Sequence, residues 1–250
     1  MSPNSVNRER SLLVVRQIVL SYSALLALTA GFVNAVAILI FALPVGNLTG
    51  VTTQLGMKAG NPLLYEGHVL AAVMIGFFLG AVLAGSVLPV KHSHVSSRSA
   101  LVLCIEAVLL LVAAAGVEET YIREAITASG VELPAVQALL AAAALGLQNG
   151  LTSSFRDMAV RTTHFTGTIT DLGLIVGRSR RHGVDRWKAL TLGLTLVLFL
   201  VGGAAGIVAG SRYGGYALAA PAAACIAMAG AAMLRHRMSL SRLRREAARV

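Results

Sequence analysis

The stretch HFTGTITDLG, His164 to Gly173, sets three threonines and an aspartate into an otherwise oily chain. A near copy, NLTGVTTQLG, runs from Asn47 to Gly56. Thr49, Gly50, Thr53, Leu55 and Gly56 match Thr166, Gly167, Thr170, Leu172 and Gly173, and Gln54 falls opposite Asp171. The likeness extends outward. GFVN, Gly31 to Asn34, precedes the first copy, and GLQN, Gly146 to Asn149, precedes the second. Each copy is followed by a glycine-rich apolar run, with Gly76, Gly80 and Gly85 in one and Gly202, Gly206 and Gly210 in the other. Small residues at such spacing let helices approach closely in lipid.

The surrounding chain reads as membrane-embedded. It is 56% hydrophobic and 13% charged, about half the charge fraction of a soluble domain. Its mean hydropathy is +0.75. Six spans can be drawn, near residues 17–43, 68–88, 100–117, 133–151, 189–210 and 213–234, most of them close to the roughly 20 residues that cross a bilayer as helix. Pro44 and Pro89 end the first two, Pro134 starts the fourth, and Pro221 is a candidate kink in the sixth. The first apolar run is too long for a signal peptide and is followed by further spans.

Basic residues give the orientation. With the N-terminus inside, 18 of the 21 Lys and Arg fall on inner segments, and only Lys58, Arg123 and Arg212 fall outside. The external segment 118–132 carries Glu118, Glu119, Glu124 and Glu132. Both termini are therefore expected in the cytoplasm. The net charge of +10 is then a topology signal, and nucleic-acid binding is not expected. The chain divides into a cytoplasmic N-terminus (1–16), a first three-helix repeat (17–117), the acidic loop (118–132), a second three-helix repeat (133–234) and a basic tail (235–250). Leu240, Leu243 and Ala247 share a helical face of that tail, with arginines around them. Such a face suits anionic lipid, and a solvated tail that only fixes topology fits equally.

Two halves of three spans each enter the membrane from opposite sides, which is the pattern of an inverted repeat. The expected fold is thus an all-α membrane protein of about six transmembrane helices in two inverted three-helix repeats. Each repeat carries a short, broken Thr-Gly helix. Thr49 and Thr166 are suited to N-capping, and each shares a helical face with a partner four residues on, Thr53 and Thr170. A helix that starts inside a membrane has free N–H groups with partial positive charge, and lipid offers them no partner. Two such starts meeting from opposite sides, with Asn34 and Asn149 beside them, would form a polar solute site. A close-packed joint between the halves and an ordinary loop are the alternative readings.

At these residues the sequence resembles the YoaK-type family of bacterial inner-membrane proteins, a family without assigned activity. GFVNAVAIL is similar to the family's first-helix motif, TGVTTQLG to its Thr-Gly motif, and ALGLQNG with THFTGTITDLG to its best-preserved stretch. The first half departs from the pattern: Asn34 stands where the family usually has an acid, and Val51 where it usually has Asn. The resemblance implies a multi-pass protein of the inner membrane and names no substrate.

Asp171 is either an intramembrane acid, and so a proton or ion group, or a rim carboxylate paired with Arg178 or Arg161. Glu106 lies a turn or two inside the third span and either pairs with Arg98 or lines a polar path. His92 and His94 read as a solvated loop, and His164 stands at the mouth of the site. No spacing defines a metal centre. Cys104 and Cys225, inside apolar runs, read as packing residues. No catalytic or nucleotide-binding motif appears, so no enzyme activity and no cofactor are expected. The expected function is a small-solute or ion transporter or channel. Its site is Asn34, Thr49, Gly50, Thr53, Gln54, Asn149, Thr166, Gly167, Thr170 and Asp171. The second reading is a membrane scaffold or accessory subunit that transports nothing. A homo-oligomer is plausible for either, because six short helices enclose little.

Overall fold

The computed structural model describes residues 3–61, 63, 66–89, 96–130, 132–155 and 161–247, with side chains omitted for 3–15, 182 and 239–247. His92, His94 and most basic side chains of the tail lie outside the described residues. Those described form helices and connecting turns, with no strand. In order they are α1 (Pro3–Phe41), α2 (Leu48–Gly60), α3 (Gly67–Val87), α4 (Ser97–Glu118), α5 (Thr120–Ala128), α6 (Leu133–Ser153), α7 (Phe165–His182), α8 (Arg186–Tyr213), a 3-10 turn (Gly214–Leu218) and α9 (Ala219–Ala247).

Five stretches are long and apolar enough to cross a membrane: Arg16–Phe41, Gly67–Val87, Ser97–Glu118, Leu133–Ser153 and Arg186–Met238. The last holds α8 and α9, separated where Gly214 takes a positive φ of 57°. An L-residue is costly there, and glycine is the natural choice. Apolar side chains such as Phe78, Val108, Leu200 and Ile226 point outward from these helices. In water such a surface would be an aggregation liability, whereas in a bilayer it is the solvent-facing side.

The helices pair across the chain. α1 packs on α8, and α3 packs on α6. Glycines make both contacts. A Cβ on Gly31 would stand 2.0 Å from the Phe199 carbonyl oxygen, and one on Gly146 would stand 2.1 Å from that of Phe77. Gly202 lies as close to the Leu28 carbonyl and Gly80 to that of Ala143. Gly76 and Gly206 also rest on facing backbone, at Leu139 and Phe32. Gly85 meets nothing, so it belongs to no helix contact despite its place in the series. α4 closes the bundle by packing on α6 and α9, and Tyr22 ties α1 to α9 by donating to the Met228 carbonyl at 2.8 Å.

Pro221 falls in the first turn of α9, where a missing N–H costs little, so it does not interrupt a span. Residues 120–128, inside the expected external loop, form α5, which buries no residue. α9 runs beyond the last apolar stretch to Ala247 as one helix.

Candidate functional site

The segment after α1 doubles back. Ala42 has a positive φ of 55°, a left-handed conformation that ends the helix sharply. The chain then returns until the Gly46 N–H donates to Asn34 Oδ1, 2.9 Å away, about two turns back along α1. Residues 161–164, ahead of α7, lie back against α6 in the same way: Asn149 Nδ2 donates to Thr163 Oγ1 at 3.0 Å. The two returns touch, because a Cβ on Gly46 would lie 3.1 Å from Thr163 Cγ2 and 3.3 Å from Asn34 Oδ1. Asn34 and Asn149 therefore act on the loops, each holding one helix start in place.

α2 and α7 begin at these returns. Their N-caps are Asn47 and His164, not Thr49 and Thr166. The threonines occupy the second helical position instead. Asn47 Oδ1 accepts from the Gly50 N–H at 3.2 Å. His164 makes no side-chain cap bond, but its ring folds over Gly167, where a Cβ would meet it at 2.8 Å. The cap side chain thus fills the space above the third helical residue in both copies, which explains why glycine follows the threonine. Thr53 and Thr170 turn their hydroxyls to the carbonyls of Thr49 and Thr166.

Both helix starts line one cavity of about 370 Å³. Asn47, Leu48 and Thr49 come from the first, and His164, Phe165 and Thr166 from the second. α3 contributes Phe77 and Ala81, and α6 contributes Asn149, Gly150 and Ser153. Gly46, Arg161 and Thr163 complete the lining. Below it Gln148, fully buried, donates to the Leu26 carbonyl and to Thr162 Oγ1, both at 2.7 Å. This bond pair fixes α1, α6 and the second return to one another.

The orientation of the Asn149 amide follows from its partners. Its Nδ2 faces the Leu145 carbonyl at 2.8 Å, an acceptor only. Oδ1 is left with no hydrogen-bond partner among the described residues, although Asn149 is only 6% exposed. A buried acceptor without a partner is costly unless something else supplies a donor.

The remaining predicted residues lie elsewhere. Asp171 is at the surface recess beside Arg178, Asp185 and Lys188, and its carboxylate pairs with Lys188 Nζ at 2.9 Å. Its partner is thus neither Arg178 nor Arg161. Thr53 and Gln54 on α2 and Thr170 on α7 lie beyond the cavity lining, and Gly50 and Gly167 sit behind the caps. Glu106 is fully buried in α4, its carboxylate beside the Cys225 thiol of α9. Arg98 does not reach it. Sequence reasoning missed Gly46, Arg161, Thr163, Gln148 and the wall residues of α3. The caps, however, stand at the first position of each quoted copy.

Long apolar helices, packed through glycine with their apolar surface outward, define an integral, multi-pass membrane protein. The chain belongs to the family described as "Protein of unknown function (DUF1275)", whose model matches residues 22–231, and the YoaK-type resemblance agrees with this. No curated protein and no solved structure matches it.

Proposed function

We propose that the protein is a small-solute transporter or channel of the bacterial inner membrane, with both termini cytoplasmic. Its six spans (α1, α3, α4, α6, α8 and α9) form two inverted three-helix repeats. α2 and α7 are half-helices that enter from opposite sides, and the cavity between their N-termini is the solute site. The single observation that carries this reading is the convergence of both Thr-Gly helix starts on one cavity. The paired contacts support the repeat. Asn34 with Gly46 answers Asn149 with Thr163, and Gly31 on Phe199 answers Gly146 on Phe77. Discontinuous helices whose N-termini face a shared site are a known way to bind solute inside a membrane. No catalytic role and no cofactor enter this reading.

The test is isotonic swelling of proteoliposomes in glycerol, sodium lactate, alanine and potassium chloride. At least one solute should enter faster than in empty vesicles. Ser153→Phe, which narrows the cavity from α6, should reduce that flux at least tenfold and leave the melting temperature nearly unchanged. Equal flux with Ser153→Phe would exclude the cavity as the path. Absence of flux for all four, together with a stable partner protein on gentle solubilisation, would favour a scaffold.

A further inference from the structure

Three features of the cavity select a chemical class of ligand. First, two helix N-termini open onto it, and each carries about half a positive charge on its free N–H groups. Among the described residues α7 has no side-chain cap bond at its start, so no described side chain occupies the N–H groups of its first turn. Second, Arg161, a permanent cation, is among the residues that line the cavity. It makes no salt bridge among the described residues, and no carboxylate from those residues lines the cavity. Third, Asn149 Oδ1 is a buried acceptor with no partner among the described residues. The first two features ask for an anion. The third asks that the same ligand carry a hydrogen-bond donor.

We infer that the cavity between the starts of α2 and α7 binds a small carboxylate bearing a hydroxyl group, the carboxylate on the helix N-termini and Arg161 and the hydroxyl on Asn149 Oδ1. This rests on the solute-site reading above and names its substrate class. The rest of the lining fits the remainder of such a molecule. Leu48, Phe77, Ala81 and Phe165 offer an apolar wall to a short alkyl group. An α-amino acid fits less well, because its ammonium would face a neutral amide oxygen and Arg161, with no carboxylate among the described lining residues to balance it. Inorganic phosphate fits less well against the apolar wall.

The test measures binding and flux separately on the full-length protein. Binding is read in detergent by isothermal titration with L-lactate, propionate, L-alanine, inorganic phosphate and tetramethylammonium. Lactate should bind about tenfold more tightly than propionate, the gain of one hydrogen bond to a buried acceptor, and tetramethylammonium should not bind. Asn149→Ala should abolish the preference for lactate over propionate, and whatever affinity is lost with the bond to Thr163 should be lost equally for both. Arg161→Gln should weaken both carboxylates about tenfold or more. Tighter binding of tetramethylammonium, alanine or phosphate than of lactate would overturn the assignment, as would a preference unchanged in Asn149→Ala. If Asn149→Ala fails to fold, Asn149→Ser serves, with the same loss of preference expected. Lactate binding without lactate flux would retain the site and reject the transporter reading. Flux of another solute without carboxylate binding would retain the transporter and reject the class.

Discussion

Each Thr-Gly pair is explained by the residue two or three places before it. The cap side chain, Asn47 or His164, lies over the glycine, so the motif is a cap and the space it needs. Gly56 and Gly173 share the repeat but meet nothing within 4 Å. This separates two kinds of glycine that look alike in sequence. Gly56→Ala should stabilise the protein by up to about 1 kcal/mol, the helix-propensity gain. Gly50→Ala should forfeit that gain, because displacing Asn47 removes a cap worth about 1 kcal/mol. Thermal unfolding of the two variants in detergent should therefore rank Gly56→Ala above Gly50→Ala, and equal melting temperatures would remove the capping account. Asn34 and Asn149 were legible because they recur at fixed places before the copies. Arg161 and Thr163 were not, because they stand in a return segment whose path depends on contacts with α1 and α6. Asp171 drew attention as an acid in apolar surroundings, yet a lysine 17 residues on neutralises it at the surface.

At the scale of the helices, glycine sets which pairs form. Gly31 and Gly146 each rest on a facing carbonyl oxygen, and no side chain can rotate to relieve a clash with backbone. Gly31→Val and Gly146→Val should each destabilise the bundle by at least about 1–3 kcal/mol, the usual cost of overpacking, and broaden its size-exclusion peak. Gly85→Val, where nothing lies within 4 Å, is the control and should elute as the wild type does. The first four apolar stretches were legible to within a few residues because lipid demands long apolar runs. α5 was not, since a short polar helix outside the apolar runs leaves little periodic signal. The length of α9 was missed for a related reason: a basic segment can continue a helix once the span has started it.

For the whole molecule, the crossing of α1 with α8 and of α3 with α6 means that neither half is complete alone. Each half supplies one helix of the other's main contact and one of the two cavity-lining helix starts. The doubled polar sentence of the sequence is thus two mouths of one cavity, which answers why an apolar chain repeats it. The family match covers nearly all of this architecture. What sequence could not supply was the α3 wall of the cavity, because Phe77 and Ala81 carry no polar motif.

The central claim is that α2 and α7 enter from opposite sides. Its most direct test places single cysteines at Ala59 and Val176, both exposed near the far ends of these helices, in a background lacking Cys104 and Cys225. Each is labelled with a membrane-impermeant thiol reagent in right-side-out and inside-out vesicles. Labelling of Ala59→Cys only from outside and of Val176→Cys only from inside is the predicted result. Labelling of both from the same side would contradict the inverted arrangement and the shared site built on it.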